Sequence, residues 1–274
     1  YDAQNVEHLL QRQMAEIDRR AFSRLPASWY SSVQSRRILA VERRVVAEAD
    51  AVTAVSVQDA EQLSPFRTDR QVTVVENGIF VSDYSGVEPS IELQGEPLVF
   101  TGKMDYRPNV DAIHWFSSDI LPRIHNRRPK ARLYAVGQKP HPSLSAYNSH
   151  ADIEITGWVP SVVPFLFAAD VYVAPLRIGS GTRLKLLEAC AAGCAIVSTP
   201  IGAEGLAGEL LDSLRLGDTD ASFADQTVDL LNHPDERRRL GAAAQERVRM
   251  TYDWSVVAPR LNSLLQSVTG TRGH

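Results

Sequence analysis

The residues most able to do chemistry sit in one stretch, Gly179-Ser180-Gly181-Thr182-Arg183-Leu184-Lys185-Leu186-Leu187-Glu188. It lies between two apolar runs, Asp170–Pro175 and Cys194–Thr199, that read as buried strands. A loop punctuated by Gly179 and Gly181 therefore opens a helix between two strands. The first turn of such a helix has free N–H groups, and the aligned peptide dipoles add partial positive charge there. That end suits a phosphate. Arg183 and Lys185 add full charges, Thr182 adds a hydroxyl, and Glu188 can accept hydrogen bonds from hydroxyls. A phosphate site beside a carboxylate fits a ligand with both a diphosphate and a ribose, as a nucleotide sugar has. The plainer readings are turn glycines, solvated cations, and an i,i+3 Lys185–Glu188 pair worth a few tenths of a kcal/mol.

The elements around this stretch are those of an α/β protein. Strands are expected at Leu98–Gly102, Ala131–Gly137 and Asp152–Gly157, and helices from Asn109, which reads as a cap, and over Pro160–Ala169. Continuous apolar strands alternating with helices imply a parallel sheet covered on both faces. Ligands bind outside the carboxyl ends of such strands, and Gly102, Gly137, Gly157, Gly179 and Gly202 all follow strands. His114-Trp115-Phe116 reads as a helix packed on the sheet rather than a base-stacking surface. The tail holds two or three helices, the last from Trp254 to Val268.

Before residue 82 the pattern is looser. A helix is expected over about Asn5–Arg20, with Asn5 as its cap. Pro26 interrupts the pattern, and a second helix follows from about Trp29 to Ala49. Arginines at 12, 19, 20, 24, 36, 37, 43 and 44 dot both helices, offset by Glu7, Glu16, Asp18, Glu42 and Glu48. They read as solvated faces, or as a cationic face for anionic lipid or an acidic acceptor. Strands are expected at Ala51–Val55 and Val72–Val75, a short helix at Val57–Leu63, and a turn at Asn77-Gly78. From Ser82 to Pro97 the composition is that of a linker, which places a domain boundary there.

Composition narrows the function classes. The chain has 274 residues, 44% hydrophobic and 23% charged, with a formal net charge of −4. That balance gives no global attraction to nucleic acid. Cys190 and Cys194 flank a helix end and a strand and read as small buried residues, so a reducing, cytoplasmic setting is the expectation, with peripheral membrane contact as a variant. No apolar run approaches the roughly 20 residues that span a bilayer. None of the histidines at 8, 114, 125, 141, 150, 233 and 274 has metal-ligand spacing to Cys or Asp. Neither a Gly-Lys-Ser/Thr phosphate loop nor a Gly-x-Ser-x-Gly elbow occurs.

Several motifs in their order resemble the retaining glycosyltransferases of family four, which have the GT-B fold. They are Asp2–Glu7, Val75–Gly78, Thr101–Ala112, Gly157–Val159, Ala174–Leu176, Gly179–Gly193 and Ser198–Leu206. The resemblance implies two Rossmann-like parallel α/β domains facing across a cleft. Residues 1–88 would be the last part of an acceptor domain whose opening half is missing, 89–252 the nucleotide-sugar domain, and 253–274 a helix crossing back. That family has two glutamates separated by seven residues. Glu188 matches the one that binds ribose, and Ser180 stands at the one that contacts the donor sugar. The family's Arg for the diphosphate is matched by Lys103. For its later Lys, Arg107 is one residue early and Pro108 holds the matched position.

These considerations assign Lys103, Arg183 and Lys185 to charge neutralisation. They assign Gly102, Arg107, Gly179, Ser180, Gly181, Thr182, Glu188 and Glu204 to donor binding. The expected activity is transfer of a sugar from a nucleotide sugar to a hydroxyl acceptor with retention, with neither metal nor other cofactor. A nucleotide-sugar epimerase on the same fold, and a non-catalytic binder, are the alternatives. A chain beginning inside a domain is also expected to self-associate or to pair with a chain that completes it.

Overall fold

The computed structural model describes residues 1–19, 24–68, 71–84, 90–179 and 181–270. It contains two parallel sheets. The smaller is formed by β1 (Asp2–Ala3), β2 (Val52–Ala54) and β3 (Val72–Val74), in that order. Between β1 and β2 run α1 (Glu7–Asp18) and α2 (Leu25–Glu48), and α3 (Val57–Leu63) joins β2 to β3. The larger sheet has β4 (Glu96–Thr101), β5 (Ala131–Val136), β6 (Ile153–Gly157), β7 (Val171–Ala174), β8 (Ile196–Ser198) and β9 (Arg215–Leu216). Its spatial order is β6-β5-β4-β7-β8-β9, all parallel. The chain thus winds outward from β4 in one direction and from β7 in the other, which puts the switch point between these two strands.

Burial on both faces explains the strand sequences. In β4, Leu98 and Phe100 enter one apolar cluster and Val99 the other. Leu133 and Ala135 alternate in the same way with Tyr134 and Val136, and Val171 and Val173 with Tyr172 and Ala174. This is the two-residue period of a strand covered on both sides. One face is covered by α4 (Arg107–Trp115), the π segment Phe116–Ile120, α5 (Leu121–His125) and α9 (Asp220–Asn232). Trp115 and Phe116 each meet Phe223 edge-on, with ring centroids 6.2 and 6.1 Å apart. The other face is covered by α6 (Val163–Phe167), α7 (Leu184–Ala191), α8 (Gly208–Leu211) and α10 (Pro234–Tyr252). Cys190 and Cys194 are free and buried there, and burial pushes both thiols up. The last helix, α11 (Trp254–Gly270), returns to residues 76–80. Arg260 pairs with Glu76 at 2.7 Å, and the Trp254 indole occupies the space a Cβ on Gly78 would need.

Three local expectations are corrected. The N-cap residue of α1 is Val6, without a side-chain cap bond. The first amides of α1 are instead satisfied from α2: the Glu42 carboxylate accepts from the Glu7 N–H at 2.8 Å and the His8 N–H at 3.3 Å. Pro26 does not separate the helices. It lies in the first turn of α2, where its missing N–H leaves no bond unmade. Gly78 serves close approach by Trp254, and no turn forms at Asn77-Gly78. The exposed side of α2 carries Trp29, Tyr30 and Val41 among Arg36, Arg37 and Arg44. Among the described residues no helix is long and apolar enough to cross a membrane.

Candidate functional site

A pocket of about 250 Å³ lies outside the carboxyl ends of β4, β5 and β6. The turns after those strands supply Gly102-Lys103, Gly137-Gln138 and Trp158-Val159, and α7 supplies Lys185 and Glu188. The pocket therefore straddles the switch point, since α7 follows β7. Glycine is needed where the first two turns meet. A Cβ on Gly137 would fall 1.8 Å from the Gly102 carbonyl oxygen. One on Gly102, whose φ is +152°, would fall 2.7 Å from Asn109 Nδ2 and 2.8 Å from Lys185 Nζ.

The charges in this pocket are set by burial and by each other. Lys185 projects its ammonium over the Phe100 ring, 4.2 Å from the centroid, and donates to Asn109 Oδ1 at 2.6 Å. Burial lowers Lys185 to about 7, and Arg183 adds to the fall while Glu188 opposes it. Glu188 is raised by burial and held back by Lys185 and by a hydrogen bond from the Tyr84 hydroxyl. Lys185 and Glu188 thus act on each other through their charges, while the hydrogen bond of the Lys185 ammonium goes to Asn109. Lys103 is more exposed, with its ammonium 3.7 Å from Asp105.

Asn109 does not cap α4. The N-cap is Tyr106, and Asn109, 4% exposed, donates from Nδ2 to the Lys103 carbonyl oxygen at 2.8 Å. Asn109 and Tyr84 are the residues that sequence reasoning missed. Trp158 is a third: its indole is 71% exposed at the pocket's rim, a flat wall for a planar ring.

The other expected residues lie elsewhere. Gly179, Gly181, Thr182, Arg183 and Glu204 gather at the seam with the smaller sheet. Gly179 N–H donates to Gln13 Oε1 at 2.7 Å, and Gly181 N–H points at the Asp59 carboxylate. Thr182 Oγ1 donates to the Val55 carbonyl at 2.9 Å. These amides are therefore already turned toward protein oxygens from α1 and α3. Arg183 lies over Gly179, where a Cβ would fall 1.8 Å from its guanidinium. Burial lowers Arg183, opposed by Glu204, Tyr106 and Asp59. Glu204 is raised by burial and opposed chiefly by Arg183. Arg107 is in a third place. It pairs at 2.5 Å with Asp18, a fully buried carboxylate that also meets Arg24 at 3.1 Å, and it lines a separate 670 Å³ cavity with His114 and His141. Ser180 lies outside the described residues. Among the described residues no group of three His, Cys, Asp or Glu side chains is placed to hold a metal ion.

The family described as Glycosyl transferases group 1 matches residues 95–233, a span holding all of the pocket residues above except Tyr84, which lies outside it. Phosphatidyl-myo-inositol mannosyltransferase of Mycobacterium tuberculosis is 29% identical over 209 residues, covering 72% of this chain and 54% of that protein. Glycogen synthase of the same organism is 25% identical over 250 residues, covering 85% of this chain and 58% of that protein. The chain spans about half the length of these curated relatives. Among solved structures, sucrose-phosphate synthase of Thermosynechococcus elongatus superposes with a TM-score of 0.67 at 19% identity, over 86% of this chain and 62% of that one. Anabaena HepE, solved in complex with UDP and glucose, gives 0.69 at 13% identity, over 84% and 67%. The fold is of the GT-B type. By the family match over residues 95–233, the chain belongs to the group 1 glycosyl transferases.

Proposed function

We propose that this chain holds a nucleotide-sugar donor and moves its sugar to a hydroxyl acceptor, a carbohydrate or another alcohol, with retention of configuration. One observation carries the reading: Gly102, Lys103, Lys185 and Glu188 line a single pocket at the switch point of the larger sheet. A diphosphate there lies between the Lys103 and Lys185 ammonium groups, the ribose hydroxyls donate to Glu188, and the base stacks against Trp158. Phosphatidyl-myo-inositol mannosyltransferase transfers a mannosyl group by its name, and HepE was solved in complex with UDP and glucose; UDP-sugars and GDP-sugars are the donors to test.

The chemistry follows from where charge develops. As the bond from the anomeric carbon to the diphosphate breaks, negative charge grows on the leaving oxygen, and the two lysines stabilise it. The acceptor oxygen forms its bond on the same face, and its proton passes to the departing phosphate. The reading needs no protein nucleophile and assigns no metal or other cofactor.

Incubation with UDP- and GDP-sugars tests it. Transfer or slow hydrolysis releases free nucleotide, whereas recovery of an altered sugar on intact nucleotide would make the protein an epimerase. Glu188→Ala is expected to weaken nucleotide binding by about 1–3 kcal/mol, the range for removing one partner of a buried hydrogen bond. Unchanged affinity would remove Glu188 from the site.

A further inference from the structure

We infer that Asn109 is a positioning residue that ties the Lys185 ammonium to the backbone of the Lys103 turn and so fixes where that charge stands in the pocket. The inference rests on the donor-site reading above. The Lys185 ammonium has only hydrogens to offer and the Lys103 carbonyl only lone pairs. A side chain that joins them must accept at one end and donate at the other. The Asn109 amide does both, through Oδ1 at 2.6 Å and Nδ2 at 2.8 Å, and this chemistry fixes which way the amide points.

The surroundings leave few substitutes for it. Asn109 is 4% exposed, so water does not replace either bond freely. The approach of Asn109 and Lys185 to the backbone at residue 102 fits only because Gly102 has no side chain. Aspartate in this position would accept from Lys185 but face the Lys103 carbonyl with lone pairs. Leucine, of similar shape, would serve neither, and glutamine carries an extra methylene.

The groups facing the ammonium are few. Arg183 and Glu188 come from its own side of the fold, and the Phe100 ring and Asn109 from β4 and α4. With burial lowering Lys185 to about 7, a change at Asn109 is felt as a change in how much of the ammonium is charged at neutral pH.

The test uses the 274-residue chain. Lysines are labelled with ¹³C at Cε, the Lys185 signal is assigned through Lys185→Arg, and its titration is followed by NMR without ligand. Asn109→Asp should move the Lys185 midpoint upward by about one pH unit, since an opposite charge within hydrogen-bonding distance favours the ammonium, and Asn109→Leu should move it downward. Titration of UDP and GDP into the same proteins should show about tenfold weaker binding for Asn109→Leu at neutral pH. The fall of affinity with rising pH should shift to higher pH for Asn109→Asp. A residue that only packs would change the melting temperature and leave both pH curves in place. Identical Lys185 titrations in the wild type and Asn109→Asp would overturn the inference even where Asn109→Leu fails to fold. A wild type that binds neither nucleotide, with the Lys185 midpoint still moved by Asn109→Asp, would sink the donor-site reading and leave the link between these two side chains standing.

Discussion

Glu188 shows how a single side chain is tuned by groups far from it in sequence. Burial raises its carboxyl, and the Tyr84 hydroxyl, more than a hundred residues earlier, lowers it again. Tyr84→Phe removes that hydroxyl. The carboxylate then takes up its proton at higher pH, and nucleotide affinity should start to fall earlier as pH drops. Titrations of UDP and GDP across the acid range would show the shift; superimposable wild-type and variant curves would mean that Tyr84 does not act on the site. Lys185 and Glu188 were legible in the sequence because three residues of helix put them on one face, next to a loop rich in glycine. Tyr84 and the bridging role of Asn109 were not. Asn109 has the local signature of a cap, and its real partner Lys185 comes from α7 by way of the sheet.

At the scale of elements, the helix ends are where local reading went astray. Asn5 has capping chemistry, yet α1 starts at Glu7 and takes its cap from Glu42 on α2, which also meets His8 Nδ1 at 2.6 Å. Glu42→Ala leaves two amides and an imidazole without this acceptor. It should destabilise the protein by about 1–2 kcal/mol, the upper part of the range for a lost cap. Denaturant unfolding measures this, and an unchanged midpoint would assign the cap to another group. The loop before α7 has a similar lesson. Its glycines were assigned to donor binding, and the space their missing side chains free is used by protein. Gly181 has φ +73°, and a Cβ there would fall 2.6 Å from the Gln4 carbonyl oxygen. Gly181→Ala should therefore cost about 1–2 kcal/mol for the left-handed backbone alone, with the clash in addition. A variant as stable as the wild type would show that the loop relaxes away from the segment that follows β1. Strands β4 to β8 of the larger sheet, by contrast, were read to within a residue or two, because burial on both faces leaves a continuous apolar run, whereas β9, two residues that are not buried, has no such run and was missed.

For the whole molecule, the seam between the two sheets is held by contacts that no local pattern announces. Asp18 on α1 is buried between Arg107 and Arg24, Gln13 reaches Gly179, and Thr182 reaches Val55. Arg107 was expected at a diphosphate because of its place after β4; its partner is a carboxylate of the protein itself. Arg107→Ala leaves that carboxylate buried with one partner. The loss should lie toward the low end of the ~3–5 kcal/mol for breaking a buried pair, since Arg24 remains. Amide exchange in α1 should quicken while exchange in β4 and β5 does not. Equal protection of α1 in both proteins would mean that the seam does not depend on this pair. The donor pocket lies on the other side of the β4 turn, and a structure of the chain with a bound nucleotide sugar is its decisive test. The diphosphate is expected between Lys103 and Lys185 with the ribose hydroxyls on Glu188; a nucleotide seated anywhere else, with these three side chains bare, would rule the donor pocket out.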